Sequence, residues 1–139
     1  MAQHGTRLMK VLIGGTDYSS EVSNARIVPA ERDSDFVTFA DAAAGGARDY
    51  TFQGTCVQDS ASGTFWKKMW QSAGATTAVL LKPHGNTTAS TAQPHYSGTA
   101  VIAEPDGDFL GGEANKSTTA RHTVDFSWQF ESKPTEVTS

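Results

Sequence analysis

The residues able to do chemistry in this chain are few and scattered. His4, His84, His95 and His122 include no i, i+4 pair that would set two imidazoles on one helix face, and none has a cysteine or acid at metal-ligand spacing. No metal site or cofactor is therefore expected. His122 is expected at the end of an apolar strand face, with His84 and His95 flanking a loop. The single cysteine, Cys56, has no disulfide partner and falls on the same side of an alternating segment as Tyr50 and Phe52. A small buried hydrophobe fits there better than a nucleophile. No Gly-x-Ser-x-Gly elbow presents a serine, so the abundant Ser, His and Asp residues define no triad. Asp106 and Asp108 sit in turn-forming sequence, where solvated turn residues explain them better than acid/base catalysis.

Two further patterns imitate sites. The run Gly111 to Ser117 ends in Lys116-Ser117 like a phosphate loop, but that register puts Leu110 and Asn115 where glycines are required. The following segment alternates as a strand, so no helix supplies the amide cradle. Phe65, Trp66, Met69 and Trp70 are an aromatic platform if exposed and a core stripe if buried; helical spacing favours core. Asn86-Thr87-Thr88 and Asn115-Lys116-Ser117 match glycosylation acceptors, which carry no meaning without secretion. Net charge is −4 with a pI near 5.4, against an affinity built on phosphate neutralisation. These readings point to a non-enzymatic protein.

The elements that carry these residues are mostly strands. Serine and threonine number 30 in the 139 residues, leucine is rare, and Val, Thr, Phe and Tyr recur in short alternating runs. Arg7 to Ile13 reads as a first strand ended by Gly14 and Gly15, and Asp17 to Glu21 as a turn. Val22 to Val28 and Asp35 to Ala40 are further strands, divided by the charged stretch Pro29 to Ser34. Asp41 to Ala47 reads as a flexible connection. From Arg48 to Gln58, Tyr50, Phe52, Gly54 and Cys56 share one face, while Thr51, Gln53, Thr55 and Val57 share the other.

The period then changes. Phe65, Trp66, Met69, Trp70 and Ala73 fall on one arc of the only helix expected, about residues 62–73, with Ser60 or Ser62 as cap and Gly74 at its end. Thr76 to Lys82 is a strand stopped by Pro83, and His95 to Ala103 follows the polar loop Gly85 to Gln93. Glu104 to Ser117 is an unusually long connection. The closing strand sets His122, Val124, Phe126, Trp128 and Phe130 against Arg121, Thr123, Asp125, Ser127 and Gln129 with period two. The expectation is one mainly β domain over residues 1–139: an antiparallel β-sandwich or partly open barrel with one flanking α-helix. Its core should contain Phe52, Phe65, Trp66, Met69, Trp70, Val124, Phe126 and Trp128.

The N-terminal stretch Met1 to Lys10 lacks the basic start and apolar stretch of a secretion signal, and no apolar run approaches membrane-spanning length. Synthesis in the cytoplasm is the expectation. The ends, about 1–6 and 131–139, read as polar extensions that an assembly would hold in place.

Several segments resemble, in sequence order, the tail tube (major tail) proteins of siphophages, particularly of phages infecting Gram-positive and actinobacterial hosts. They are Thr51-Phe52-Gln53-Gly54-Thr55; Phe65-Trp66-Lys67-Lys68-Met69-Trp70 with Ala73-Gly74; Leu81-Lys82-Pro83-His84-Gly85; and Gln93-Pro94-His95-Tyr96-Ser97-Gly98-Thr99. Gly111-Gly112-Glu113-Ala114 and Val124 to Trp128 follow. The likeness runs from Tyr50 to Trp128, over half the chain.

The resemblance implies a virion protein of a long non-contractile tail, assembled as homohexameric rings stacked around a tape measure protein. A tail terminator and baseplate or tail-tip proteins are the other implied partners. It also implies a hollow tube through which DNA reaches the host without specific binding, and it transfers no catalytic motif. Thr51, Gln53, Thr55, Thr123, Asp125, Ser127 and Gln129 are candidate lumen-facing residues, because a conduit wall should be polar without clustered cations. Asp41, Gly46, Gly85, Asn86, Thr88, Asp106, Asp108, Phe109, Leu110, Glu113 and Lys116 are candidate inter-subunit loop residues. Function is then expected in interfaces and a lumen, with no pocket. The rival readings are a tail terminator or head-tail joining ring protein, and a small β-sandwich ligand-binding module using Tyr96, Trp66 or Trp70.

Overall fold

Short alternating runs with one apolar side fold readily into strands, and in the computed structural model eight strands form among the described residues. Described are residues 3–31, 38–43 and 48–139. Strand β1 (Lys10–Ile13) turns through Gly14 and Gly15, at φ 59° and 87°, into the short β2 (Thr16–Asp17). Positive φ at both turn positions suits a tight hairpin and selects glycine. Then follow β3 (Val22–Glu31), helix α1 (Phe39–Ala43), β4 (Arg48–Val57), helix α2 (Phe65–Ser72), β5 (Thr76–Lys82), β6 (His95–Val101), β7 (Thr123–Phe130) and β8 (Thr135–Val137).

All pairings are antiparallel, in the order β2-β1-β5-β6-β7-β4-β3, with β8 paired to β6 beside β7. The sheet is open, with β2 and β3 as its edges. It nevertheless encloses one core. Val11, Ile13, Val79 and Leu81 from one side of the strand order join Phe52, Cys56, Val124, Phe126 and Trp128 from the other in a single buried cluster. The protein is thus mainly β, an open antiparallel sheet curved around its core.

Helix α2 caps that core with Phe65, Trp66 and Met69, all buried. Phe65 stacks on Trp128 at 5.0 Å with ring planes 4° apart and tilts against Phe126 at 4.8 Å. Each such buried aromatic is worth roughly 1.5–3 kcal/mol over an exposed one. The helix begins at Thr64, whose hydroxyl accepts from the Lys67 amide at 3.3 Å, and not at Ser60 or Ser62. Those serines precede a turn through Gly63, at φ 84°, that sets the helix start later. Gly74, at φ 93°, lies just beyond its end.

Three expectations about elements change. The strand at Val22 continues through Pro29 to Glu31, because β3 is an edge strand, where a residue without an N–H is tolerated. No strand covers Thr38 to Ala40: Phe39–Ala43 is a short helix within what reads as a flexible connection, while Asp35 to Val37 lie outside the described residues. Finally, Thr135–Val137 is no free tail, since Thr135, Glu136 and Val137 pair with Ser97, Tyr96 and His95 of the same chain.

Candidate functional site: a polar sheet face and an open cleft

The outer face of β4 and β7 is built by register. Thr51 stands opposite Gln129, Gln53 opposite Ser127, and Thr55 opposite Asp125, so two separate wet faces of the sequence become one surface. Thr123, Asp125, Ser127 and Gln129 are exposed; Thr51, Gln53 and Thr55 are half-buried. Hydrogen bonds fix the side chains: Thr55 Oγ1 donates to Asp125 Oδ1 at 2.7 Å, Gln53 Nε2 to Thr51 Oγ1 at 3.0 Å, and Thr51 Oγ1 to the Val28 carbonyl at 3.3 Å. Strand β3 widens the surface, with Arg26 opposite Gln53 and Asn24 opposite Thr55. Arg26 and Asp125 set one cation against one anion, so no cluster of a single sign forms there.

The loop residues divide into tied and free. Gly85 is held at φ 69° with no room for a side chain, since a Cβ would stand 2.4 Å from the Leu8 carbonyl oxygen. Asn86 Nδ2 donates to the carbonyls of Thr88 at 2.6 Å and Gln93 at 3.0 Å, and His95 Nε2 lies 3.1 Å from the Asn86 carbonyl. That loop is braced within its own chain. In the long connection, Phe109 packs on Trp66, whose Nε1 donates to the Phe109 carbonyl at 2.9 Å. Gln58 clamps Gly111, accepting from its amide at 2.8 Å and donating to its carbonyl at 3.0 Å. Asp106, Asp108, Leu110, Glu113 and Lys116 are exposed. Asp41 belongs to α1, and Gly46 lies outside the described residues.

Trp70 departs from the expected core: it is 50% exposed, stacked on Trp66 at 5.4 Å and against Phe109 at 5.1 Å. It lies at the margin of the arc that α2 buries. His122 is also exposed, one residue before β7 begins, whereas His95 is buried. Among the described residues, no group of three or more His, Cys, Asp or Glu is placed to share a metal ion. Burial, helped by the charges of Glu21 and Asp125, pushes the Cys56 thiol up to about 12, so it stays protonated near neutrality. No helix among the described residues is long and apolar enough to cross a membrane.

A feature with no counterpart in the sequence reading is a cleft of about 640 Å³ beside the sheet. Met9, Ile27, Leu81, Pro83 and Pro134 give it an apolar lining; Arg26, Lys133, Tyr50, Tyr96, His4 and Glu136 add polar groups. Tyr96 donates its hydroxyl to Glu136 at 3.2 Å. Residues from the N-terminal segment, five strands and the β7–β8 connection meet there, so no local motif signals it.

Fold and surfaces together define an open antiparallel β domain with a polar outer face, an apolar cleft and, among the described residues, a long edge at β3 with no further strand beside it. Comparison with family models finds no match, and comparison with curated proteins finds none either.

Proposed function

We propose that this chain is a non-enzymatic structural subunit of a siphophage tail tube, assembling into stacked hexameric rings that conduct DNA. The observation that supports it best is the joining of the two wet strand faces into one hydrogen-bonded polar surface without clustered cations. A wall of that kind lets a polyanion pass, since tight binding needs several Lys or Arg against phosphates. Strand β3 offers a ten-residue edge, and long exposed edges invite pairing with another chain. In the assembly that edge meets a neighbouring subunit, and the exposed parts of the long connection reach between subunits. The tape measure, terminator and tail-tip proteins are the partners this reading assigns, and the virion its location.

Sedimentation velocity over a concentration series tests the reading. Open-ended growth to large species supports a tube subunit; one fixed oligomer supports the terminator or joining-ring alternative instead. The half-exposed stack of Trp70 on Trp66 gives the ligand-module alternative its one specific observation. A monomer at every concentration would favour that alternative.

A further inference from the structure

The open sheet leaves a seam. Strands β1 and β3 stand toward opposite ends of the strand order, yet Val11 of β1 and Val22 to Ala25 of β3 line one cleft of about 420 Å³, together with Gly5 to Arg7 and Met9. The 640 Å³ cleft continues along β3 at Arg26 and Ile27, again with the N-terminal segment, through His4 and Met9. Two clefts therefore follow the edge of β3 from Val22 to Ile27, and the N-terminal segment borders both.

That edge is unpaired in a defined way. Thr51 Oγ1 donates to the Val28 carbonyl, which therefore faces β4. Backbone groups alternate in direction along a strand, and Pro29, with no N–H to give β4, suits the outward set. Ala25 and Ile27 belong to the same set, since the irregularity in β3 lies before them, between Val22 and Asn24. Their N–H and C=O groups point away from β4, where no further strand lies among the described residues. Pro29 offers a carbonyl only, so a partner strand can pair up to that point and no further.

The N-terminal segment is the matching unpaired piece. Arg7 to Ile13 reads as one strand, but β1 begins only at Lys10. Its partner β5 ends at Lys82, opposite Lys10, and Pro83 follows, so Met9 and the residues before it have no ladder to join. Residues 3–9 are exposed and in no strand, with Leu8 at 67%. We infer that residues 6–9 of a second copy add as a strand to the β3 edge, pairing at Ala25 and Ile27. The chain's own segment joins β1 at Lys10, across the clefts from β3, and borders the seam without bridging it. Its ties there are slight: His4 meets the His84 ring edge-on at 5.3 Å, and the Leu8 carbonyl lies against Gly85. Released from them, it extends to a neighbouring copy, where main-chain hydrogen bonds to the open edge replace them. This rests on the reading of the chain as a self-assembling subunit and names what the β3 edge meets.

The test uses the full chain in two single-cysteine additions at exposed positions, Leu8→Cys and Asn24→Cys, mixed and treated with a short bismaleimide. Cys56 is fully buried and does not compete. A linked dimer is expected in this mixture, and not from either variant alone or when Leu110→Cys, also exposed, replaces Asn24→Cys. Ala25→Pro removes a donor that β4 does not use, so it should leave the urea midpoint unchanged and raise the concentration needed for association about tenfold or more. Deleting residues 3–8 should have the same effect on association. No cross-link, equal linking to Leu110→Cys, linking of Asn24→Cys to itself, a link formed only within a doubly substituted chain, or undiminished association of either altered chain overturns the inference. If the unmodified protein assembles while any of those holds, only this contact falls. If the unmodified protein never associates, the tube reading falls with it.

Discussion

At the scale of single residues, Gly54 marks the tightest approach in the sheet. A Cβ there would stand 1.8 Å from the Asn24 carbonyl oxygen and 2.8 Å from Phe126, beside the irregularity in β3 between Val22 and Asn24. Gly54→Ala should therefore cost about 3 kcal/mol, seen as a lower urea midpoint at unchanged slope. Cys56 gives a pH dependence. Its folded value of about 12 lies above the unfolded 9.0, so between the two the unfolded chain holds fewer protons. Stability from this group is complete below pH 9 and declines as pH rises toward 12, by at most about 1.4 kcal/mol per pH unit. Cys56→Ser, tested by urea unfolding from pH 8 to 10.5, should flatten that decline. The alternation that placed Cys56 beside Phe52 was plain in the sequence. Trp70 was not, because periodicity assigns a direction around the helix and cannot show where the covering layer ends.

At the scale of elements, the long connection between β6 and β7 has two halves with different duties. Up to Gly111 it is fastened by Phe109 on Trp66 and by the Gln58 clamp. Beyond it, residues 113–120 are exposed, and Gly112 lies against His122, so the ends of this excursion are already close. Deleting 113–120 should change stability by no more than about 1 kcal/mol. Deleting 104–117 should destabilise strongly, since the unpaired Trp66 N–H alone costs about 1–3 kcal/mol; thermal melts of the two deletions provide the comparison. Strand β5 was legible to its ends, because Thr76 to Lys82 lies between Gly74 and Pro83. Strand β8 was not: Thr135, Glu136 and Val137, within a polar stretch, become a strand through their partner β6, and a partner leaves no mark in local sequence. Pro29 misled for the opposite reason, since it breaks central strands and is harmless on an edge.

At the scale of the whole molecule, the fold class followed from composition and period two, while the surfaces depended on register. Thr51 and Gln129 are far apart in the chain, and only the β4–β7 pairing brings them face to face. The cleft was hidden for the same reason. In the assembly we propose, the polar face turns toward the lumen and the edge of β3 toward a neighbour. Electron microscopy of the purified chain at raised concentration tests this most directly. The account predicts long hollow filaments of uniform width; a population of monomers, or of single closed rings that never stack, would contradict it.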